Sequence, residues 1–185
     1  MTFNAAATIL LVDDEAAVVA ALRRSLHRGF GDAVAIEGCT NPRQAVERLL
    51  ARRFDVVVSD LRMPQMDGIE LLTRAAAIQP DCVRLMLTAA TEFSATQRAV
   101  NGCGVFRYLT KPWDSAELLG HLREALAHAR TLRSQRDDAL AWAAHQGQAS
   151  EADLERRRLE ALEPGITRVE WDADGSVVMP PLNTA

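Results

Sequence analysis

The stretch Val56–Leu72, VVVSDLRMPQMDGIELL, begins as a strand and finishes as a helix. Val56, Val57 and Val58 are consecutive and β-branched, the composition of a strand buried on both faces. From Gly68 onward the apolar residues take helical spacing. Pro64 and Gly68 suit a sharp turn in the loop between the two. Asp60 closes the strand, and a carboxylate at the end of so apolar a run needs a reason.

The same strand-then-helix alternation extends in both directions. Residues 8–13, TILLVD, are an apolar run that also ends on acid. Residues 15–28 carry Val18, Val19, Leu22 and Leu26 at helical spacing, with Gly29 as the stop. A short strand over 33–39 precedes a helix over 41–53, with Asn41 as N-cap and Pro42 at its first position. The third strand is 54–60 and the third helix 68–80, where Pro80 marks the end. A strand over 82–89, a weaker helix over 91–102 and a fifth strand over 105–112 follow. From Asp114 a long helical stretch begins.

Five strands alternating with helices predict a parallel sheet covered on both faces. Such sheets have right-handed crossovers and bind ligands beyond the carboxyl ends of their strands. Asp13 and Asp14 end the first strand, Asp60 the third, Thr88 the fourth and Lys111 the fifth. Four strands therefore deliver polar groups to one edge.

Three carboxylates placed together repel one another unless a cation joins them. Asp13, Asp14 and Asp60 offer oxygen ligands only, which favours Mg²⁺, or Mn²⁺ in its place. Lys111 and the Thr88 hydroxyl add a positive charge and a donor, a set suited to a phosphoryl group. Asp60 can then be the nucleophile of an aspartyl-phosphate, while the metal and Lys111 neutralise the transferring oxygens. Taken singly, each residue has a plainer reading. Asp14 and Glu15 suit a helix N-terminus, Asp60 a turn, and Lys111 before a proline an exposed surface. The joint arrangement is what points to chemistry.

The whole chain bounds the function further. It has 185 residues, 48% of them apolar, and a formal net charge of −4. That length suits one domain with an extension. Without a basic excess, a helix-turn-helix pattern or zinc spacing, no nucleic-acid partner is expected. The N-terminus lacks a basic leader and no stretch is long enough to span a bilayer, so a cytoplasmic protein with no membrane partner is expected. Cys39, Cys82 and Cys103 make no metal motif and read as reduced, buried thiols.

The segments LLVDDE (10–15), SDLRMPQMDGIELL (59–72), LTAA (87–90) and YLTKP (108–112) resemble the receiver domain of two-component response regulators. The resemblance covers residues 8 to about 130. It implies a doubly wound, flavodoxin-like sheet of five parallel strands in the order 2-1-3-4-5. It also implies that Asp60 accepts phosphate from a histidine kinase or histidine phosphotransfer protein. By the same resemblance, Asp13, Asp14, Asp60 and the backbone carbonyl of Arg62 hold Mg²⁺, while Thr88 and Lys111 contact the phosphoryl group. Tyr108 would be the aromatic switch that turns inward when Thr88 moves, and Lys111–Pro112 a cis peptide. Arg62 and Ala90 flank the site, and Met63, Met66 and Ile69 are expected to pack. Lys111-Pro112-Trp113 is similar to the subset of regulators that includes HD-GYP phosphodiesterases and hydrogenase regulators; Trp113 itself reads as core packing.

Residues 114–163 contain no proline, and if helical throughout they extend about 75 Å. Leu118, Leu122, Ala125, Ala129 and Leu132 follow a 4-3 alternation, continued by Arg136, Ala139 and Ala143. That spacing suggests a parallel coiled coil and a homodimer. A solvated amphipathic helix and a hairpin turning at Gly147 are the other readings. Ile166, Val169 and Trp171, then DADG, then Val177, Val178 and Met179 suggest a β-hairpin.

The expected organisation is a receiver over 1–130, an extended helix over 131–163, and a hairpin and tail over 164–185. The expected function is a phosphorylation-dependent regulator that works through protein interaction or dimerisation, without a DNA-binding or enzymatic output domain. A phosphate shuttle or sink is the alternative. An aspartyl phosphatase would need an acid two residues after Asp60, where Arg62 stands.

Overall fold

The computed structural model describes residues 7–89 and 104–145, together with Glu155, Arg158, Leu159 and Ala161 in helical conformation. The expected helix over 91–102, Cys103, Ala90, Gly147 and the expected hairpin over 164–185 lie outside the described residues. The chain divides into two compact units, Met1–Asp138 and Ala139–Ala185.

The elements in chain order are β1 (Ala7–Val12), α1 (Ala16–Phe30), a 3-10 turn (Gly31–Ala33), β2 (Val34–Cys39), α2 (Pro42–Ala51), β3 (Val56–Asp60), α3 (Gly68–Ile78), β4 (Val83–Ala89), β5 (Arg107–Lys111) and α4 (Ser115–His145), whose residues to Asp138 belong to the first unit. The strands form one sheet in the order β2-β1-β3-β4-β5, and every pairing is parallel. In register, Asp60 lies opposite Leu87 and Lys111 opposite Ala89. The polar strand ends thus meet at one edge.

The unbroken apolar runs are explained by two cores, one on each face of the sheet. Ile9, Leu11, Val56, Val58, Leu85 and Leu87 face α1 and α4, against Leu22, Leu26, Leu118 and Leu122. Their alternates Leu10, Val12, Val57 and Met86 face α2 and α3, against Ala45, Leu49, Leu71 and Leu72. A period of two with apolar residues at both phases is what a doubly covered strand requires. Cys39 and Cys82 are buried free thiols, as expected.

Several boundaries follow local chemistry. Asn41 caps α2, accepting from the Arg43 amide at 2.9 Å and the Gln44 amide at 3.4 Å. Asp67 caps α3 through the Glu70 amide at 2.8 Å. The glycine that ends α1 is Gly31, with φ of 55°, and not Gly29. Gly29 lies within the helix, where a Cβ would come 2.3 Å from a methyl of Leu119 on α4.

The expected coiled-coil seam needs correction. Leu118, Leu122, Ala125 and Ala129 are buried in the receiver-side core, and Leu132 packs on the same cluster. A 4-3 stripe serves a sheet as well as a partner helix, and here the sheet takes it. Arg136, the next seam position, pairs with Asp81. Arg133 pairs with Asp55, which also accepts from the Thr8 amide at 2.7 Å and the Thr8 hydroxyl at 3.1 Å. Trp113 packs against the same core. In the second unit, the described residues are helical, and Trp142 and Leu159 are exposed. Among the described residues, no helix is long and apolar enough to cross a membrane.

Candidate functional site

Asp60 is the last residue of β3 and is buried. The ladder continues past it, with the Leu61 amide donating to Leu87 O at 2.9 Å. The Ser59 hydroxyl donates to the Asp60 carbonyl at 2.9 Å, so the backbone here has little freedom. One side-chain oxygen, Oδ2, accepts from the Arg62 amide at 2.8 Å. The other, Oδ1, lies 2.5 Å from Lys111 Nζ.

Lys111 also donates to Asp13 Oδ2 at 2.7 Å. Asp13 follows β1 directly and is fully buried; its Oδ1 accepts from the Glu15 amide at 2.9 Å, which ties it to the entrance of α1. One ammonium from β5 therefore bridges carboxylates from β1 and β3. Burial opposes the Lys111 charge, but hydrogen bonds to Asp13 and Asp60 outweigh it and raise its pKa above the ordinary 10.5. For Asp13 the balance reverses. Burial raises its pKa above 3.8 despite the bond from Lys111. The difference follows exposure, since the Lys111 side chain is 23% exposed and that of Asp13 only 1%.

The loop after Asp60 is shaped by two residues with different tasks. Gln65, at φ of 72°, supplies the left-handed turn expected of a glycine. Gly68 permits close approach, because a Cβ there would lie 2.2 Å from the Asp60 carbonyl oxygen. Met63, Met66 and Ile69 pack into the α2/α3 core, as expected. Thr88 is buried next to Leu87, the register partner of Asp60. Tyr108 is half-buried against the α2/α3 core, beside a cavity of about 210 Å³ also lined by Trp113, Leu118 and His121. The Lys111–Pro112 peptide is cis.

Residues 9–123 match the family described as the response regulator receiver domain. The chain belongs to that family. Among its relatives is the transcriptional regulatory protein ZraR of Klebsiella oxytoca, 38% identical over 126 residues, which cover 68% of this chain and 28% of ZraR. The hydrogenase transcriptional regulatory protein HoxA of Bradyrhizobium diazoefficiens is 31% identical over 119 residues, 64% of this chain and 24% of HoxA. Among solved structures, the signal receiver domain of an HD domain-containing protein from Pseudomonas fluorescens Pf-5 matches with a TM-score of 0.66. It is 34% identical and covers 72% of this chain and 96% of that one.

These relatives overturn one expectation. A regulator without a DNA-binding output, with no nucleic-acid partner, does not follow from this sequence. The curated relatives named here are transcriptional regulators, and the chain spans only about a quarter of their length. The physical reason is that a receiver fold does not itself fix the output, so the charge balance of these 185 residues does not decide it.

Receiver domains accept phosphoryl groups from histidine kinases and in general bind Mg²⁺ at the phosphorylation site. The donor chemistry here suits such an ion. Two buried carboxylates share one ammonium, which leaves a negative charge uncompensated, and exposed Asp14 adjoins them. Among the described residues no three His, Cys, Asp or Glu side chains are grouped around one point, and Lys111 bridges Asp13 and Asp60.

The sequence reading missed Gln65, and also Asp55 at the opposite end of β3. The signal for Asp55 was its place after Phe54, an acid leading into the same apolar strand that Asp60 closes.

Proposed function

We propose that this chain is the phosphate-accepting module of a two-component regulator, with Asp60 the acceptor, working in the cytoplasm. The observation that carries the reading is the bridge from Lys111 to Asp13 and Asp60, at 2.7 and 2.5 Å. The partner that supplies phosphate is a histidine kinase or a histidine phosphotransfer protein. An Asp60 carboxylate oxygen attacks the phosphorus of a phosphohistidine; the new P–O bond forms as the P–N bond breaks, and the imidazole, already protonated on its other ring nitrogen, leaves neutral. Asp13, Asp14, Asp60 and the Arg62 carbonyl are the residues to hold Mg²⁺, which supplies charge neutralisation for the phosphoryl oxygens when bound.

Lys111 exchanges part of its contact with Asp60 for a phosphoryl oxygen. The Thr88 hydroxyl donates to another, and Tyr108 moves into the space this opens. The output is regulation of transcription, by likeness to ZraR and HoxA.

The test is acyl-phosphate labelling with a phosphorylated histidine protein in Mg²⁺. The full chain acquires a hydroxylamine-labile label, and Asp60→Asn abolishes it. Retained label in the Asn variant would remove Asp60 from the role. Lys111→Ala should keep Mg²⁺ binding yet slow acceptance by at least about tenfold.

A further inference from the structure

A second feature lies away from the phosphoacceptor edge. The C-terminal half of α1 and the first half of β2 enclose a groove of about 950 Å³, whose lining includes Arg23, Arg24, Arg28, Asp32, Val34 and Ile36. Its volume falls at the upper end of ordinary ligand sites, about 300–1,000 Å³. Three permanent cations share it with one carboxylate, in a chain whose net charge is −4.

Among the described residues, Arg23 and Arg24 have no acidic partner, and Arg28 meets only the Arg24 carbonyl, at 3.5 Å. His27 and Arg28 stand in the last turn of α1, where cations offset the helix dipole. Arg23 and Arg24 lie too far back for that. The stem of Arg23 runs along β2, its Cδ 3.4 Å from where a Gly38 Cβ would be.

The groove wall opposite the arginines is a sheet edge. β2 ends the sheet and pairs only with β1. The Cys39 carbonyl points inward, accepting from the Asp13 amide at 3.2 Å. The Gly38 carbonyl points outward, where Arg48 takes it at 2.9 Å. By the alternation of strand backbone groups, Ile36 and Val34 also present their amides and carbonyls outward, and both line the groove. Their side chains pack on the α1 core, on the same face of the sheet as the arginines.

We propose that this groove binds an extended peptide with a carboxylate at every second position. The peptide adds to the sheet beside β2, its carboxylates set against Arg23, Arg24 and Arg28. Strand addition uses the open backbone groups, and the period of two puts every second side chain on one side. Arginine forks favour carboxylates, which they bind through two parallel N–H donors. A nucleic acid would meet the cations but has no backbone to match the amides and carbonyls of Val34 and Ile36.

The experiment is fluorescence anisotropy on the full chain with a labelled octapeptide alternating glutamate and valine, and its lysine–valine counterpart. The acidic peptide should bind and the basic one should not. Arg24→Glu with Arg28→Glu should weaken the acidic peptide at least tenfold, with an unchanged circular dichroism spectrum and unchanged Asp60 labelling. Methylating alternate amides of the peptide should weaken it similarly, because strand pairing is lost. No binding, equal binding of both peptides, indifference to charge reversal, or indifference to methylation would each overturn the proposal. So would a single-stranded oligonucleotide that binds more tightly and displaces the peptide.

Discussion

Replacing Gly68 with alanine tests the close approach of α3 to the Asp60 backbone. The added Cβ would sit 2.2 Å from the Asp60 carbonyl oxygen and 3.0 Å from Met86 Sδ. Ordinary contact requires the pair to part by at least about 1 Å. The carbonyl cannot retreat easily, since the Ser59 hydroxyl holds it and the Leu61 amide beyond it is bonded to Leu87. The start of α3 is tied as well, the Gly68 amide donating to Leu61 O at 2.9 Å. Overpacking of this kind costs about 1–3 kcal/mol. For a unit of this size that lowers Tm by about 3–10 °C. Whichever side yields, the Asp60 side chain shifts relative to Lys111, and a displacement near 1 Å slows a positioned reaction by up to about a hundredfold. Thermal unfolding followed by circular dichroism gives the first number, and the rate of acyl-phosphate labelling gives the second. An alanine variant with unchanged Tm and unchanged labelling rate would show that the contact relaxes freely, and the close-approach reasoning would be wrong.

Three other perturbations probe the rest of the molecule. Asp55→Ala strips Thr8 and Arg133 of their acceptor and should cost about 2–3 kcal/mol in urea unfolding; Arg133→Ala, at a half-exposed side chain, should cost about 1 kcal/mol or less, and the reverse ranking would refute the assignment. Leu122→Ala, at a fully buried core position, should cost about 2–5 kcal/mol, equally at low and high protein concentration. A loss that grows on dilution would return Leu122 to an intermolecular seam. Burial pushes the Cys82 thiol up from 9.0 to about 12, so the folded chain keeps a proton that the unfolded chain sheds. Stability should therefore fall as pH rises from 9 toward 12, by up to about 1.4 kcal/mol per pH unit from this group. Cys82→Ala should flatten that decline in reducing buffer, and parallel curves for the two proteins would argue against it.

The sheet was legible because β1 and β3 are largely apolar at both phases of the strand period and alternate with helical runs. The meeting of Asp13, Asp60 and Lys111 was legible because parallel strands bring their last residues to one edge. Other features left no local trace. Arg133 and Asp55 are 78 residues apart, and nothing in either neighbourhood names the other. Gln65 holds a backbone angle that composition assigns to glycine. Gly29 and Gly31 are both plausible helix stops, and the choice depends on Leu119 arriving from α4. The stripe from Leu118 to Leu132 has one spacing and two possible customers. Output was the least legible, because the same phosphoacceptor module is found in proteins named for different tasks.

The two ends of β3 are both fastened to the last part of the unit, Asp60 to Lys111 and Asp55 to Arg133. Anyone grafting this module onto another effector inherits that arrangement. A splice at residue 130 transplants the whole reactive edge yet abandons the cation that accompanies Asp55, at the far rim of the sheet. Joints placed after Arg136 keep both fastenings, and chimaeras cut earlier should be the ones that arrive frayed.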